Sequence, residues 1–146
     1  MEAAAGPADG AVSSRRALAV VRRAVDVMNE RGDFAAAWAP DVVWHAAGIG
    51  EFRGIEAFSS AVGVFAEAFP DYRIELEGTV TEGNLVAARF TTRATHTGPF
   101  MGIQPTGRPV EWVGNDIYRV EGDRIAEEWF CEDLLSVLRQ VGAVPA

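Results

Sequence analysis

The sequence is poor in the residues that build covalent and metal-held scaffolds. Its 146 residues include one cysteine, Cys131, so an internal disulfide is impossible and a cysteine-based zinc site lacks its ligands. Histidine occurs only at His45 and His96, without the close spacing of a metal-binding pair. No apolar run approaches the ~18 residues of a membrane span, and no signal-peptide pattern begins the chain. We therefore expect a cytoplasmic protein with no metal, no cofactor and no membrane partner.

Positive charge is also scarce. Thirteen basic residues face 21 acidic ones, which gives a net charge of -8. Because each phosphate contact needs a cation, this balance argues against nucleic acid as a partner. Hydrophobic residues make up 49% of the chain, and its length suffices for one core but not for two ordinary domains. We expect one domain over residues 13–146, preceded by a flexible arm at residues 1–12.

The first half of the chain has mainly helical patterns. Apolar residues recur at helical spacing between Leu18 and Met28, and Asp33 can cap a second, shorter helix. The predicted elements are a helix from Ser13 or Ser14 to Arg31, a short helix from Asp33 through Trp38 that Pro40 ends, a strand at residues 41–45, a glycine-containing loop at 48–50, and a helix from Ile55 to about Ala68.

The second half has β patterns. Alternating and β-branched runs predict strands at residues 72–80, 85–96, 110–120 and 125–131, joined as two hairpins on either side of a loop at 97–109. A final helix is predicted from Asp133, as its N-cap, to about Gln140. The order of elements indicates an α+β fold, in which a curved antiparallel sheet has its concave face covered by helices.

Five short motifs resemble, in order and separation, those of the SnoaL-like polyketide cyclases in the nuclear-transport-factor-2-like superfamily. They are GEFRG at residues 50–54, AFPD at 68–71, THTGPFMG at 95–102, PTGR at 105–108 and YRV at 118–120. The resemblance extends from about Ser14 to Gly142. It implies a cone-shaped domain enclosing a cavity, cofactor-independent acid/base cyclisation of a small, hydrophobic, polyketide-like substrate, and a homodimer or higher homo-oligomer.

The same resemblance leaves other functions open, because one fold hosts many activities. In these cyclases a catalytic aspartate directly follows a tryptophan of the last strand, whereas here Phe130 follows Trp129. The chain is therefore also compatible with an epoxide hydrolase or a hydroxylase acting on a polyketide. A third interpretation is a non-catalytic module that binds a hydrophobic metabolite.

Asp116 is the candidate acid/base, since it lies near the position where the family carries a strand histidine. A carboxyl group in an apolar cavity has a raised pKa, which suits proton transfer near neutral pH. Alternatively, Asp116 faces solvent or makes a structural hydrogen bond. His45 or Asn115 would orient the substrate carbonyl, although His45 could equally be a structural residue at a strand end.

The register of the last hairpin decides which residues share a face. A two-residue turn at Gly122-Asp123 pairs Val120 with Ile125, whereas a bulge shifts the register by one. We prefer the register that puts Asp116 beside Phe130, because Trp112 and Tyr118 then lie on the same wall. The other register makes Asn115 the runner-up polar group.

Aromatic residues are numerous, and core packing explains most of them. A cavity for a flat polycyclic ligand also needs such walls, and Phe100-Met101 in a glycine-flanked loop suggests a lid. Cys131 is expected to be buried, and His96 could instead hold the 97–109 loop through its backbone. The substrate-binding candidates are Trp38, Trp44, His96, Phe100, Met101, Trp112, Tyr118 and Phe130.

Overall fold

The computed structural model describes the backbone of residues 7–145 and the side chains of residues 14–145. These residues form three α-helices, six β-strands and one short 3-10 helix at Phe34–Ala36. The elements are α1 (Pro7–Glu30), β1 (Trp38–Ala46), β2 (Gly50–Arg53), α2 (Ile55–Ala68), β3 (Arg73–Glu82), β4 (Leu85–Thr95), β5 (Pro109–Glu121), β6 (Arg124–Phe130) and α3 (Leu134–Gln140).

The N-terminal region differs from the sequence-based expectation in two places. Helix α1 begins at Pro7, within the segment predicted to be an arm, and residues 1–6 of that arm lie outside the described residues. The second helix is a single 3-10 turn, in which the Asp33 carboxylate accepts a hydrogen bond from the Ala35 amide at 2.9 Å. Trp38 and Pro40 belong to β1 instead. The β1 register shifts between Trp38 and Val43, so Pro40 lies where no ladder hydrogen bond is needed.

The sheet has six strands in the order β2-β1-β6-β5-β4-β3. Strand β2, which the sequence does not predict and whose first residue lies in the predicted 48–50 loop, pairs antiparallel with β1. Strand β1 then pairs with β6 in parallel, so the sheet is mixed rather than purely antiparallel. This pairing puts the N-terminal strand beside the last strand and gives β6 a hydrogen-bonded neighbour on each side.

The helices cover one face of this sheet. The larger core cluster joins buried residues of α1 and α2, such as Val21 and Phe58, to Trp44 of β1 and Phe90 of β4. A second cluster centres on Phe69 and is closed by α3. The predicted boundaries of α2 and the N-cap of α3 are confirmed, since Asp133 accepts a hydrogen bond from the Ser136 amide at 3.0 Å.

The last hairpin combines both features considered from the sequence. Val120 pairs with Ile125 across the turn, and a bulge then shifts the register so that Arg119 pairs with Glu127 and Ile117 with Trp129. Continued by one residue, this register puts Asp116 beside Phe130, as preferred. Along β5, Trp112, Asp116 and Tyr118 are all buried, whereas Asn115 between them is exposed.

Candidate active site

A cavity lies between the concave face of the sheet and the helices. It has about 780 Å³ of space free of protein atoms, counting its opening to solvent. Its walls are mostly apolar and aromatic, which is typical of sites for small hydrophobic molecules. Helices α1 and α2 contribute Ala24, Val25, Met28, Phe58, Val62 and Phe65, and the sheet contributes Trp38, Trp44, Phe90, Trp112, Tyr118 and Phe130.

Three carboxyl groups interrupt the apolar wall. Asp116 comes from β5, Glu128 from β6, and Glu132 from the segment just after β6. Side chains two residues apart on a strand share a face, so Glu128 lies on the same side of β6 as Phe130. Asp116 is 2% exposed and Glu128 is 5% exposed, which removes both from bulk solvent.

Glu128 is held by two tryptophans. The indole N–H of Trp38 donates to Glu128 Oε1 at 2.9 Å, and that of Trp44 donates to Oε2 at 2.9 Å. Both indoles come from β1, so the parallel β1–β6 pairing creates this arrangement. Each carboxylate oxygen therefore has a fixed donor, which immobilises the group at the cavity wall.

Asp116 and Glu132 form a second acidic unit. The Cys131 amide donates to Asp116 Oδ1 at 2.8 Å, and the Trp112 indole N–H donates to Glu132 Oε1 at 2.7 Å. Burial and the neighbouring Glu132 carboxyl raise the pKa of Asp116, so the two carboxyl groups can share a proton. Gly114 makes this possible, because a Cβ there would overlap Glu132 Cγ and lie 2.8 Å from its Cδ.

Burial shifts the ionisation of all three acids. Desolvation, reinforced by the charge and hydrogen bond of Glu132, raises the pKa of Asp116 well above its ordinary value. Desolvation also raises the pKa of Glu132, against the hydrogen bonds from Asp116 and Trp112. For Glu128, desolvation outweighs the two indole hydrogen bonds and raises the pKa to about 7. Carboxyl groups poised in this way can accept or donate a proton near neutral pH.

Tyr118 adds a neutral hydroxyl to the same wall. Its side chain lines the cavity and is 6% exposed. Burial and the neighbouring acids raise the pKa of Tyr118 well above its ordinary value, so the phenol keeps its proton. A phenol that keeps its proton can donate a hydrogen bond to a substrate oxygen.

The predictions made from the sequence divide into two groups. The cavity is lined by Asp116, as expected, and by the predicted wall residues Trp38, Trp44, Trp112, Tyr118 and Phe130. The catalytic role of Asp116 stays a prediction. The other candidates lie elsewhere in the fold.

The two proposed orienting residues are on the wrong face of the sheet. Trp44 points into the cavity, so the next residue of β1, His45, points outward. His45 Nε2 lies 2.6 Å from Glu127 Oε2, and the ring stacks on Trp129 with centroids 5.4 Å apart. Asn115 is exposed for the same reason of alternation. Both assignments to the site are therefore corrected.

Three further expectations fail near the 97–109 loop and β6. His96 does not line the cavity; its Nδ1 lies 2.9 Å from Thr106 Oγ1 and accepts a hydrogen bond from the Thr106 amide at 3.3 Å, which holds the loop. Phe100 is 1% exposed and packs on Phe69 as core, while Met101 is 61% exposed with φ of 50° in a turn. Cys131, expected to be buried, is exposed.

Glu128 and Glu132 were missed by the sequence analysis, although a signal was present. Phe130 is a predicted wall residue, and Glu128 and Glu132 stand two residues before and after it. Extended backbone places all three on one face. The alternation around Phe130 therefore indicates both glutamates as cavity residues.

Neither a metal-binding group nor a membrane-spanning helix is found in the described part of the chain. Within residues 7–145, no set of three or more His, Cys, Asp or Glu side chains is arranged to hold a metal ion. Over the same residues, no helix is both long and apolar enough to cross a bilayer.

A mixed sheet wrapped around a cavity, with buried carboxyl groups among aromatic walls, defines an α+β protein with a pocket suited to acid/base chemistry. The chain belongs to the SnoaL-like polyketide cyclase family, whose model matches residues 18–141. A search of curated proteins gave no match.

Solved structures agree with this membership. AclR from Streptomyces galilaeus, a proposed hydroxylase, is 29% identical with a TM-score of 0.80, over 91% of this chain and 85% of AclR. IdmH from Streptomyces antibioticus, a proposed polyketide cyclase, is 30% identical with a TM-score of 0.77, over 86% of this chain and 98% of IdmH. A protein from Jannaschia is 21% identical with a TM-score of 0.83 and supports the fold alone, over 99% and 100% of the two chains.

Proposed function

We propose that this protein is a cofactor-independent enzyme that uses Asp116 as the acid/base in an aldol-type or related cyclisation of a polyketide-like substrate. The observation that carries the proposal is the Asp116–Glu132 pair, buried together in an aromatic cavity. Removing a proton from carbon next to a carbonyl requires a positioned base and a donor for the developing oxyanion. The cavity offers both, within a site that excludes most water.

The roles follow from the hydrogen bonds of each group. Asp116 takes the proton from carbon, and Glu132 acts as a positioning residue that shares the proton of the pair. The Tyr118 hydroxyl donates to the enolate oxygen. Glu128, held by its two indoles, supplies a second proton-transfer group on the adjacent strand. After ring closure, the proton of the pair returns to the new alkoxide, so no net proton is consumed.

Deuterium exchange tests the proton-abstraction step without the natural substrate. With 1-tetralone in D2O, proton NMR follows loss of the signal at the carbon next to the carbonyl. Positioned general bases contribute about 10²-fold or more, so Asp116→Asn should slow the exchange by about that factor. Asn115→Ala is the matched control, because Asn115 is next to Asp116 in β5 but its side chain lies on the exposed face. Wild-type exchange no faster than with heat-denatured protein, or equal rates for Asp116→Asn, would contradict the proposal.

The likeness to AclR supports hydroxylation as a second candidate. Pathway intermediates distinguish the chemistries by product mass. Cyclisation by aldol addition leaves the mass unchanged, hydroxylation adds one oxygen atom, and epoxide hydrolysis adds one water. A ligand that binds tightly and is recovered unchanged would favour the binding-module interpretation instead.

Assembly into a homodimer and residence in the cytoplasm belong to the same proposal. Sedimentation equilibrium of the full chain measures the first, and cell fractionation measures the second. A monomer throughout the micromolar range would contradict the expected homodimer or higher homo-oligomer.

A further inference from the structure

The cavity is acidic and has no positive charge of its own. Asp116, Glu128 and Glu132 are among its lining residues, and no arginine or histidine is among the described residues that line it. Most arginines of the sheet pair with acids outside the cavity. Arg93, for example, contacts Glu75 at 2.8 Å and Glu111 at 3.0 Å, all three being exposed. The buried acids therefore have no counter-ion among the residues that the structure describes.

The hydrogen bonds of Asp116 and Glu132 favour an ionised form of the pair. Each side chain accepts from an N–H donor, and two carboxyl groups that share one proton carry one negative charge between them. Indole and amide N–H groups from Trp112 and Cys131 stabilise this charge but do not neutralise it. Burying an unpaired charge is unfavourable, and a cation entering the cavity would relieve that cost.

The aromatic walls favour the same kind of ligand. Trp38, Trp44 and Trp112 line the cavity beside the acids. Tryptophan faces attract cations, and the attraction grows when the ion is removed from water. An ammonium group on a flat apolar skeleton would satisfy the acids and the rings at once.

Tyr118 gives a second, independent indication of a ligand. Its side chain lines the cavity, yet its hydroxyl makes no hydrogen bond to any of the residues that the structure describes. The side chain is 6% exposed, and the unpaired hydroxyl keeps some access to the space in the cavity. Hydroxyl groups with so little solvent access are normally paired, so this one is available to a ligand group in the cavity.

We propose that the cavity selects a ligand with a protonated amine on an aromatic or polycyclic skeleton and rejects the corresponding carboxylate. The inference rests on the proposed function in one respect, that this cavity is the substrate site. It narrows the substrate class from polyketide-like to polyketide-like with a basic nitrogen.

Amine binding should release a proton. The ammonium ion keeps its own proton, and its charge favours ionisation of the Asp116–Glu132 pair, whose shared proton leaves to the buffer. The other titratable groups facing this pair in the cavity are Glu128, Tyr118 and Tyr72. The Tyr72 hydroxyl already donates to the Met28 carbonyl at 2.8 Å. Neither phenol titrates near neutral pH, so the released proton comes from the acids.

Three naphthalene probes of matched size test charge selection in the wild-type protein. Calorimetric titration at pH 7 compares 2-naphthylmethylamine, which is protonated, with 2-naphthylmethanol and 2-naphthoate. One unscreened charge interaction supports a preference of about tenfold or more for the amine over the alcohol. The carboxylate should bind more weakly than the alcohol. Repeating the amine titration in phosphate and in Tris, which differ in ionisation enthalpy, counts the protons released.

Variants of the pair separate its charge from its shared proton. In Asp116→Asn, the amide can donate to Glu132, so one negative charge remains but the shared proton is gone. The amine preference should survive, while proton release should fall to the part that Glu128, with its pKa of about 7, contributes. In the double variant Asp116→Asn/Glu132→Gln the charge is gone as well, and the preference should fall by about tenfold. Glu111→Gln removes an equal charge from the exposed face and should change neither result.

The outcomes also keep the two proposals apart. Loss of exchange activity in Asp116→Asn, with the amine preference intact, supports both. If the amine and the alcohol bind equally well to the wild type, the inference is overturned, but the proposed acid/base role stands. The same holds if none of the three probes binds. A double variant that is folded by circular dichroism and keeps the full preference also overturns it. The wild-type comparison decides the question if that variant does not fold.

Discussion

Glu128 should make the protein less stable as pH rises from acidic to neutral. Its carboxyl has an ordinary pKa of 4.5, which burial raises to about 7 in the folded protein. Between these values the folded state holds a proton that the unfolded state has lost, so stability falls with increasing pH. The pKa difference, at about 1.4 kcal/mol per pH unit, corresponds to about 3 kcal/mol. The contribution is fully present below pH 4.5 and lost as pH passes 7.

Replacing Glu128 with glutamine isolates this contribution. Urea unfolding followed by tryptophan fluorescence gives the free energy of unfolding of wild type and Glu128→Gln across the range from pH 4.5 to 8. Glutamine accepts from only one of the two indoles, which lowers stability by an amount independent of pH. The difference between wild type and variant should therefore change by about 3 kcal/mol across this range, with wild type losing stability as pH rises.

The neighbouring residue provides the matched control. Glu127 is also on β6 but faces outward; hydrogen bonds from His45 and Arg119 outweigh its partial desolvation and lower its pKa. The stabilisation by Glu127 is lost only as pH falls below the ordinary pKa of a glutamate. The difference in free energy of unfolding between wild type and Glu127→Gln should therefore be nearly constant above pH 5. A constant difference for Glu128→Gln, or one in which wild type gains stability with pH, would refute the argument.

Three other substitutions test the site and its surroundings. Gly114→Ala should push Glu132 away from Asp116, lower the free energy of unfolding by about 1–3 kcal/mol in thermal unfolding, and slow the deuterium exchange of tetralone. An unchanged exchange rate would show that the Asp116–Glu132 contact is not needed for proton abstraction. Phe100→Ala should lower the free energy of unfolding in urea by about 3–5 kcal/mol, because Phe100 belongs to the core rather than to a lid. Weaker ligand binding without a loss of stability would instead support the lid interpretation. His45→Ala should leave the exchange rate unchanged, since His45 lies on the outer face, and a slower rate would contradict that placement.

Local patterns predicted much of the fold. Helix α2 was predicted to its last residue because Gly54 and Phe69-Pro70 bound a continuous helical pattern. The inward direction of Asp116 followed from the alternation that it shares with Trp112 and Tyr118. Strand β2, by contrast, has only four residues and no buried side chain, so it has no pattern to detect.

The missed features depend on contacts between distant parts of the chain. The parallel pairing of β1 with β6 is invisible to local periodicity, and it sets which face of β1 meets the cavity. Without that pairing, His45 and Trp44 were equally plausible cavity residues. Once Trp44 is known to point inward, alternation alone excludes His45.

The two indoles that hold Glu128 also limit the order in which parts of the protein can fold. Trp38 and Trp44 precede their partner by 90 and 84 residues. Such distant contacts are slow to close during folding, because the chain between them must be ordered first. During synthesis the N-terminal strand must wait until nearly the whole chain has left the ribosome. The site is thus among the last regions to form, and indole fluorescence should report the final step of folding.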